Sequence, residues 1–139
     1  MTPPQNATPT ARTVRVIHRA MCAGLILFAL VAHFVLLPNA SGTGNLASIT
    51  PILLAVSLAG CVVSIFLSTR VPRLTSGESA DSFWKRAGPP ALIVWAFLEG
   101  AGLVAIVVYS HTASRAAISV AAVAVLAFVL LNPAYFEGR

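Results

Sequence analysis

Charge is scarce in this sequence. Only 9% of its 139 residues are Asp, Glu, Lys or Arg, against 58% that are hydrophobic. Soluble domains average about 25% charged and about 45–50% apolar residues. A water-soluble fold of this size lacks the polar side chains to cover so much apolar surface, so an ordinary soluble domain is excluded. Cysteine is scarce as well. Cys22 and Cys61 both lie inside apolar runs, where they read as small buried hydrophobes rather than a disulfide or metal pair. P-loop, glycine-rich nucleotide fingerprint, nucleophile elbow and carboxylate pair are all missing. The residues therefore imply a non-enzymatic protein with no cofactor and no metal. The net charge of +5 does not point to nucleic acid, because the basic residues sit in the gaps between apolar runs, where membrane topology places them.

Long apolar runs are what the chain does have. The first extends from Ala20 to about Leu37 and is closed by Pro38. The second extends from about Leu46 to Leu67, with Pro51 in its first turns. The third covers Ala91 to about Tyr109, and the fourth about Ala116 to Leu131, closed by Asn132 and Pro133. A spanning helix needs about 20 apolar residues, and backbone inside lipid must satisfy its own hydrogen bonds. The expected fold is all-α: a polytopic membrane protein with four transmembrane helices in a bundle, at about residues 17–37, 47–69, 90–110 and 114–132. Arg19 and Arg115 snorkel outward from the two shorter runs. The first run follows Arg12, Arg15 and Arg19 as a signal peptide would. It exceeds the usual apolar length of about 7–15 residues, and cleavage after Ala40 would put Pro38 at the −3 position, so a retained helix is expected.

Orientation follows from the loops. Of the nine Lys and Arg, only Arg115 lies between the third and fourth runs, and the segment between the first and second carries none. This asymmetry places both termini in the cytoplasm of a cell with an inner membrane. Residues 1–13, polar and proline-rich, read as a disordered tail, residues 70–89 as a cytoplasmic loop, and residues 134–139 as a cytoplasmic tail. In the loop, Trp84, Lys85 and Arg86 are expected at the lipid interface, with Pro89 and Pro90 opening the third helix.

One carboxylate interrupts the third run, in "IVWAFLEGAGLVAIVVY". Glu99 lies about 12 Å along it at 1.5 Å per residue, close to the middle of a hydrocarbon core about 30 Å thick. An ionised carboxylate there is costly, so Glu99 is expected to be protonated, paired or facing a watery cavity. It is the ion-binding candidate of this sequence. Ala96, Gly100, Ala101, Gly102 and Ala105 thin the helix around it, which lets another helix approach. Ser57, Cys61 and Ser64 on the second helix are candidate partners. His33 and His111, both toward the outer side, supply a conceivable proton path or are plain interfacial histidines. Two readings follow: polar glue inside a tight bundle, or a proton- or cation-carrying carboxylate. Membrane lipids, and either a second copy of the chain or a larger membrane complex, are the expected partners.

"FLEGAGLVAIVVY" resembles the carboxylate helix of rotary ATP synthase proteolipid subunits, over about a dozen residues. That resemblance implies a proton or sodium carrier role for Glu99. The polar Arg-Gln-Pro loop and the glycine repeat of that family are missing here. "RAMCAGLILFALVAHF", "WKRAG", "ALIVWAFLEGAGLVAIVVYSH" and "ISVAAVAVLAFVLLNP" together make residues 16 to 133 resemble a group of small, uncharacterised bacterial inner-membrane proteins with four helices, which implies no activity. Small multidrug transporters share the plan of four short helices and one membrane glutamate, but theirs lies in the first helix.

Overall fold

Apolar runs bounded by capping residues become helices here, and helices are the sole regular elements among the described residues, 10–39 and 46–138 of the computed structural model. α1 (Ala11–Val31) continues through a wide turn at Ala32–Leu36 and a tight one at Leu37–Asn39. α2 covers Leu46–Ser68, α3 Ala80–Thr112, α4 Arg115–Leu130 and α5 Pro133–Glu137. Four helix starts share one device: Thr10, Ser79, Ser114 and Asn132 each accept, through the side chain, a backbone N–H three residues on. Such caps satisfy donors that the first helical turn leaves orphaned.

Three helical stretches are long and apolar enough to cross a membrane: Ala11–Asn39, Ser48–Ser68 and Ala80–Thr112. α4 is apolar but has only 16 residues, about 24 Å at 1.5 Å per residue, short of a core about 30 Å thick. The expected fourth span, 114–132, falls on this helix, Arg115–Leu130. Asn132 stops it by capping α5, and Pro133 opens that next helix.

Two boundaries differ from expectation. α3 starts at Ala80 rather than at Pro89, so 80–89 is helix and not loop. Ser79 caps the earlier start, and Phe83, Trp84, Ala87 and Gly88 form a buried stripe that extends the helix's inner face. Pro89 and Pro90 lie within α3 and leave the carbonyls of Lys85 and Arg86 without a helical N–H partner. Both of those residues are exposed. The second difference is at the C-terminus. Residues 134–137 of the expected tail belong to α5, whose Phe136 is buried against Trp84 and Trp95. At the N-terminus, Thr10 caps α1 and Ala11–Thr13 are helical, while residues 1–9 of the expected tail lie outside the described residues.

α3 is the centre of the bundle. α1 runs parallel to it in a steady register: His18 meets Trp95, Leu25 meets Gly102, and His33 meets Tyr109. α4 runs antiparallel: the Leu131 carbonyl accepts from Trp95 Nε1 at 2.7 Å, and Ala124 faces Gly102. Three helices thus converge on Gly102, where a Cβ would stand 2.9 Å from both terminal methyls of Leu25. α2 also packs on α3. At Gly60 a Cβ would stand 3.2 Å from the Ala101 Cβ, and Ser57 donates across the same contact to the Ala101 carbonyl. Small residues bring these backbones together, as is usual where lipid rather than water surrounds a bundle.

The outside of the bundle is apolar. Leu27, Phe34, Ile52, Val56, Phe66, Leu126 and Leu130 are all exposed. A continuous band of this kind, on helices long enough to span, is the surface of an α-helical membrane protein.

Candidate functional site

Charge is sorted along the bundle. Ala11 N–H donates to Asp81, Arg15 binds Glu137, and Arg73 donates to Tyr135. These contacts gather the start of α1, the α2–α3 connection and α5 at one end. Arg12, Arg15, Arg19, Arg70, Arg73, Lys85 and Arg86 lie there, with Glu78, Asp81 and Glu137. Arg115, at the α3–α4 turn, stands at the other end.

Glu99 is the acidic residue outside that end. At 100° per residue it sits on the flank of α3's buried face, beside Leu98, while Phe97 marks the opposite flank toward α2. Its side is that of α1, and the α1–α3 register puts it level with Cys22. It is half-buried, and among the described residues it has no hydrogen-bond or ion-pair partner. The partners expected for it are occupied elsewhere. Ser57 donates to the Ala101 carbonyl, Ser64 donates to the Gly60 carbonyl of its own helix at 2.8 Å, and Cys61 is buried in the core. Ser57 therefore ties α2 to α3 through a backbone carbonyl, on the flank away from Glu99.

The histidines also stand apart from Glu99. His33 Nδ1 and the Tyr109 hydroxyl are 2.7 Å apart with their rings stacked. Tyr109 lies ten residues beyond Glu99 on α3, about 15 Å at 1.5 Å per residue. His111 is exposed, two residues farther on. A proton hop needs hydrogen-bond contact, and these side chains do not form a chain of such contacts. His33 and Tyr109 instead tie the far end of α1 to α3.

Of the expected interfacial residues, Lys85 and Arg86 are exposed and Trp84 is not. Trp84 is wholly enclosed, packed on Phe83, Trp95 and Phe136, and its Nε1 donates to Glu137 Oε1 at 2.9 Å. The outward placement expected for Trp84 is thus replaced by an inward one, because α5 folds back and supplies both a ring to pack on and a carboxylate to accept the indole N–H.

That carboxylate centres a polar cluster that the residue pattern did not single out. Arg15 Nη2 donates to both oxygens of Glu137, at 2.7 and 3.0 Å. The Glu137 side chain is 2% exposed and that of Arg15 40%, so one partner is enclosed and the other faces outward. Beside them, His18 is buried between Trp95 and Phe128, with Nε2 3.0 Å from the Phe128 carbonyl. A carbonyl only accepts, so Nε2 carries the proton. Arg15, His18 and Glu137 line a cleft of about 470 Å³ between α1 and the α4–α5 corner, together with Arg19, Val129 and Asn132. Arg15 and Arg19 at i, i+4 and His18 one residue before Arg19 were the visible signal, since that spacing puts them on one face of a helix.

Glu78 closes the α2–α3 connection. Its carboxylate accepts from the Thr75 N–H and hydroxyl and from Arg86 Nη2 at 3.0 Å. Desolvation acts to raise its pKa, but the hydrogen bonds from the Thr75 backbone and from Arg86 outweigh it and hold the carboxyl below its ordinary value.

These elements define an α-helical membrane protein with a basic end and one carboxylate between its ends. Among known protein families, curated proteins and solved structures, none matches the chain.

Proposed function

We propose that this chain is a small, non-enzymatic inner-membrane protein with four spans and both termini in the cytoplasm, working as a structural or accessory subunit within an assembly of membrane helices. The collection of basic residues at one end supports that orientation. The observation that carries the functional reading is Glu99. It is held half-buried on an apolar helix with no partner among the described residues. A carboxyl in hydrocarbon costs several kcal/mol unless it is hydrogen-bonded. The partner is therefore supplied by another membrane helix, from a second copy or from a different subunit, and Glu99 acts as polar glue between chains rather than within one.

The same half-exposure favours the rival reading, in which Glu99 carries a proton or cation. One pair of variants separates the two. Glu99→Gln keeps hydrogen bonding and removes the charge, whereas Glu99→Leu removes both. The oligomer population of the full chain in lipid nanodiscs and the proton or sodium flux in proteoliposomes are measured on both. The accessory reading expects Glu99→Gln to assemble like the wild type and Glu99→Leu to lose about tenfold in association, the equivalent of about 1.4 kcal/mol. A flux in the wild type that Glu99→Gln abolishes, with assembly intact, sinks the accessory reading in favour of carriage.

A further inference from the structure

The cleft at the basic end has its own chemistry, independent of Glu99. Two guanidinium groups, Arg15 and Arg19, stand on its wall one helical turn apart. Arg15 is fixed. Its Nη2 is clamped by Glu137, which is itself clamped by Trp84, so the rest of its fork is held in place at the cleft with the side chain 40% exposed. Arg19 is exposed and has no ion-pair or hydrogen-bond partner among the described residues. The carboxylate does not cancel the pair, because Glu137 is enclosed and engaged by Arg15 and Trp84, leaving Arg19 uncompensated. Asn132 adds polarity, although its amide already donates to the Val129 carbonyl and its oxygen accepts from Tyr135.

Below this polar mouth the wall turns apolar. Val129 lines the cleft, and it continues on α4 into the exposed Leu126 and Leu130. A ligand matching both halves carries an anion at one end and hydrocarbon at the other. Guanidinium groups match phosphate oxygens in a planar, bidentate way, and basic pockets between membrane helices suit lipid head groups. We propose that this cleft binds the phosphate head group of an anionic phospholipid, with Arg15 and Arg19 on the phosphate and an acyl chain along the Leu126–Val129–Leu130 face of α4.

The test is lipid binding to the full chain in detergent, read by native mass spectrometry as phosphatidylglycerol or phosphatidylcholine is titrated. The expected result is a preference for phosphatidylglycerol of about tenfold, the size of effect that one or two well-placed cations supply. Arg19→Ala should reduce that preference severalfold and Arg19→Lys should restore part of it. Arg70→Ala, a basic residue at the same end outside the cleft, should leave it unchanged. Arg19 is exposed and unpaired, so its loss spares the fold, and the Arg15–Glu137 pair need not be touched. Equal retention of the two lipids overturns the proposal, as does an Arg19→Ala effect no larger than that of Arg70→Ala. Displacement of phosphatidylglycerol by millimolar inorganic phosphate also overturns it, because the cleft would then be a soluble-anion site with no use for the apolar wall.

Discussion

Trp84 Nε1 donates to Glu137 Oε1 at 2.9 Å across 53 positions of sequence, and Arg15 reaches the same oxygen at 2.7 Å from the other end of the chain. One enclosed carboxylate thereby pins α1, α3 and α5 together. Removing it leaves an indole N–H and a guanidinium without their acceptor. A fully buried pair broken in this way costs about 3–5 kcal/mol, but Arg15 is 40% exposed and regains water, so Glu137→Ala is expected to cost about 1–3 kcal/mol. Trp84→Phe keeps most of the packing, deletes one donor and leaves Arg15 on the carboxylate, so a smaller loss is expected. Thermal unfolding of both variants in the same detergent checks the order. Equal stability of Glu137→Ala and wild type would show that this carboxylate does not clamp the three helices.

Gly102 is a point where α1, α3 and α4 meet in close contact. A Cβ there would lie 2.9 Å from Leu25 Cδ1 and Cδ2 and 3.4 Å from Ala124 Cβ. Leu25 is itself buried, so its methyls have little room to turn away. Gly102→Val is expected to overpack the junction and cost about 1–3 kcal/mol. Gly100, two residues back, has open space around it, and Gly100→Ala is expected to be close to neutral or slightly stabilising through helix propensity. Comparing the two variants by chemical unfolding isolates packing from propensity, since both replace a helical glycine on α3.

Glu78 makes the α2–α3 connection sensitive to acid. Its folded pKa lies below the ordinary value of 4.5. A depressed carboxylate pKa adds stability that is present above the unfolded pKa and is lost as pH falls through the folded one. The Thr75–Ser79 turn should therefore hold at neutral pH and open only below about pH 4, the region of ordinary carboxylate titration. Carbon-13 NMR of the Glu78 carboxyl follows this directly. Arg86→Ala removes one of the lowering contacts, so the midpoint should move up toward 4.5. A midpoint that ignores Arg86 would show that the ion pair at 3.0 Å does not hold in solution.

The membrane class was legible because run length and charge placement are local properties of a chain. Ala91–Tyr109 is helix in any fold that buries it in lipid, and the basic end could be read from Arg12 to Arg86. What was not legible depends on α5 folding back. Trp84 next to Lys85 and Arg86 looks interfacial until Phe136 and Glu137 arrive beside it, from a segment that looks like a polar tail. Pro89 and Pro90 looked like a helix start because proline is cheapest there. The cost of two interior prolines is outweighed here by burial of Phe83, Trp84 and Ala87 one and two turns earlier. Glu99 was found by its charge, but the α2 partners expected for it turn to carbonyls instead, Ser57 to Ala101 and Ser64 to Gly60.

The proposed topology has a direct chemical consequence. If both termini lie in the cytoplasm, the α2–α3 connection lies there too, and the α3–α4 turn faces the other side. Ser76, in the α2–α3 connection, and His111, in the last turn of α3 beside the α3–α4 turn, are both exposed and lie at opposite ends of the 33-residue helix α3. Cys22 and Cys61 both lie within spanning helices, so a membrane-impermeant maleimide should not reach them in intact cells. Under that labelling, His111→Cys is expected to react from outside and Ser76→Cys only after the cells are opened. The reverse pattern would invert the protein and take the basic end out of the cytoplasm. Labelling of both sites from outside would remove α3 as a span. The expected pattern follows from one physical bias, the retention of Arg12, Arg15, Arg19, Arg70, Arg73, Lys85 and Arg86 on the cytoplasmic side. Neutralising Arg70, Arg73, Lys85 and Arg86 together should therefore weaken the asymmetry in labelling, while Arg115→Gln should not.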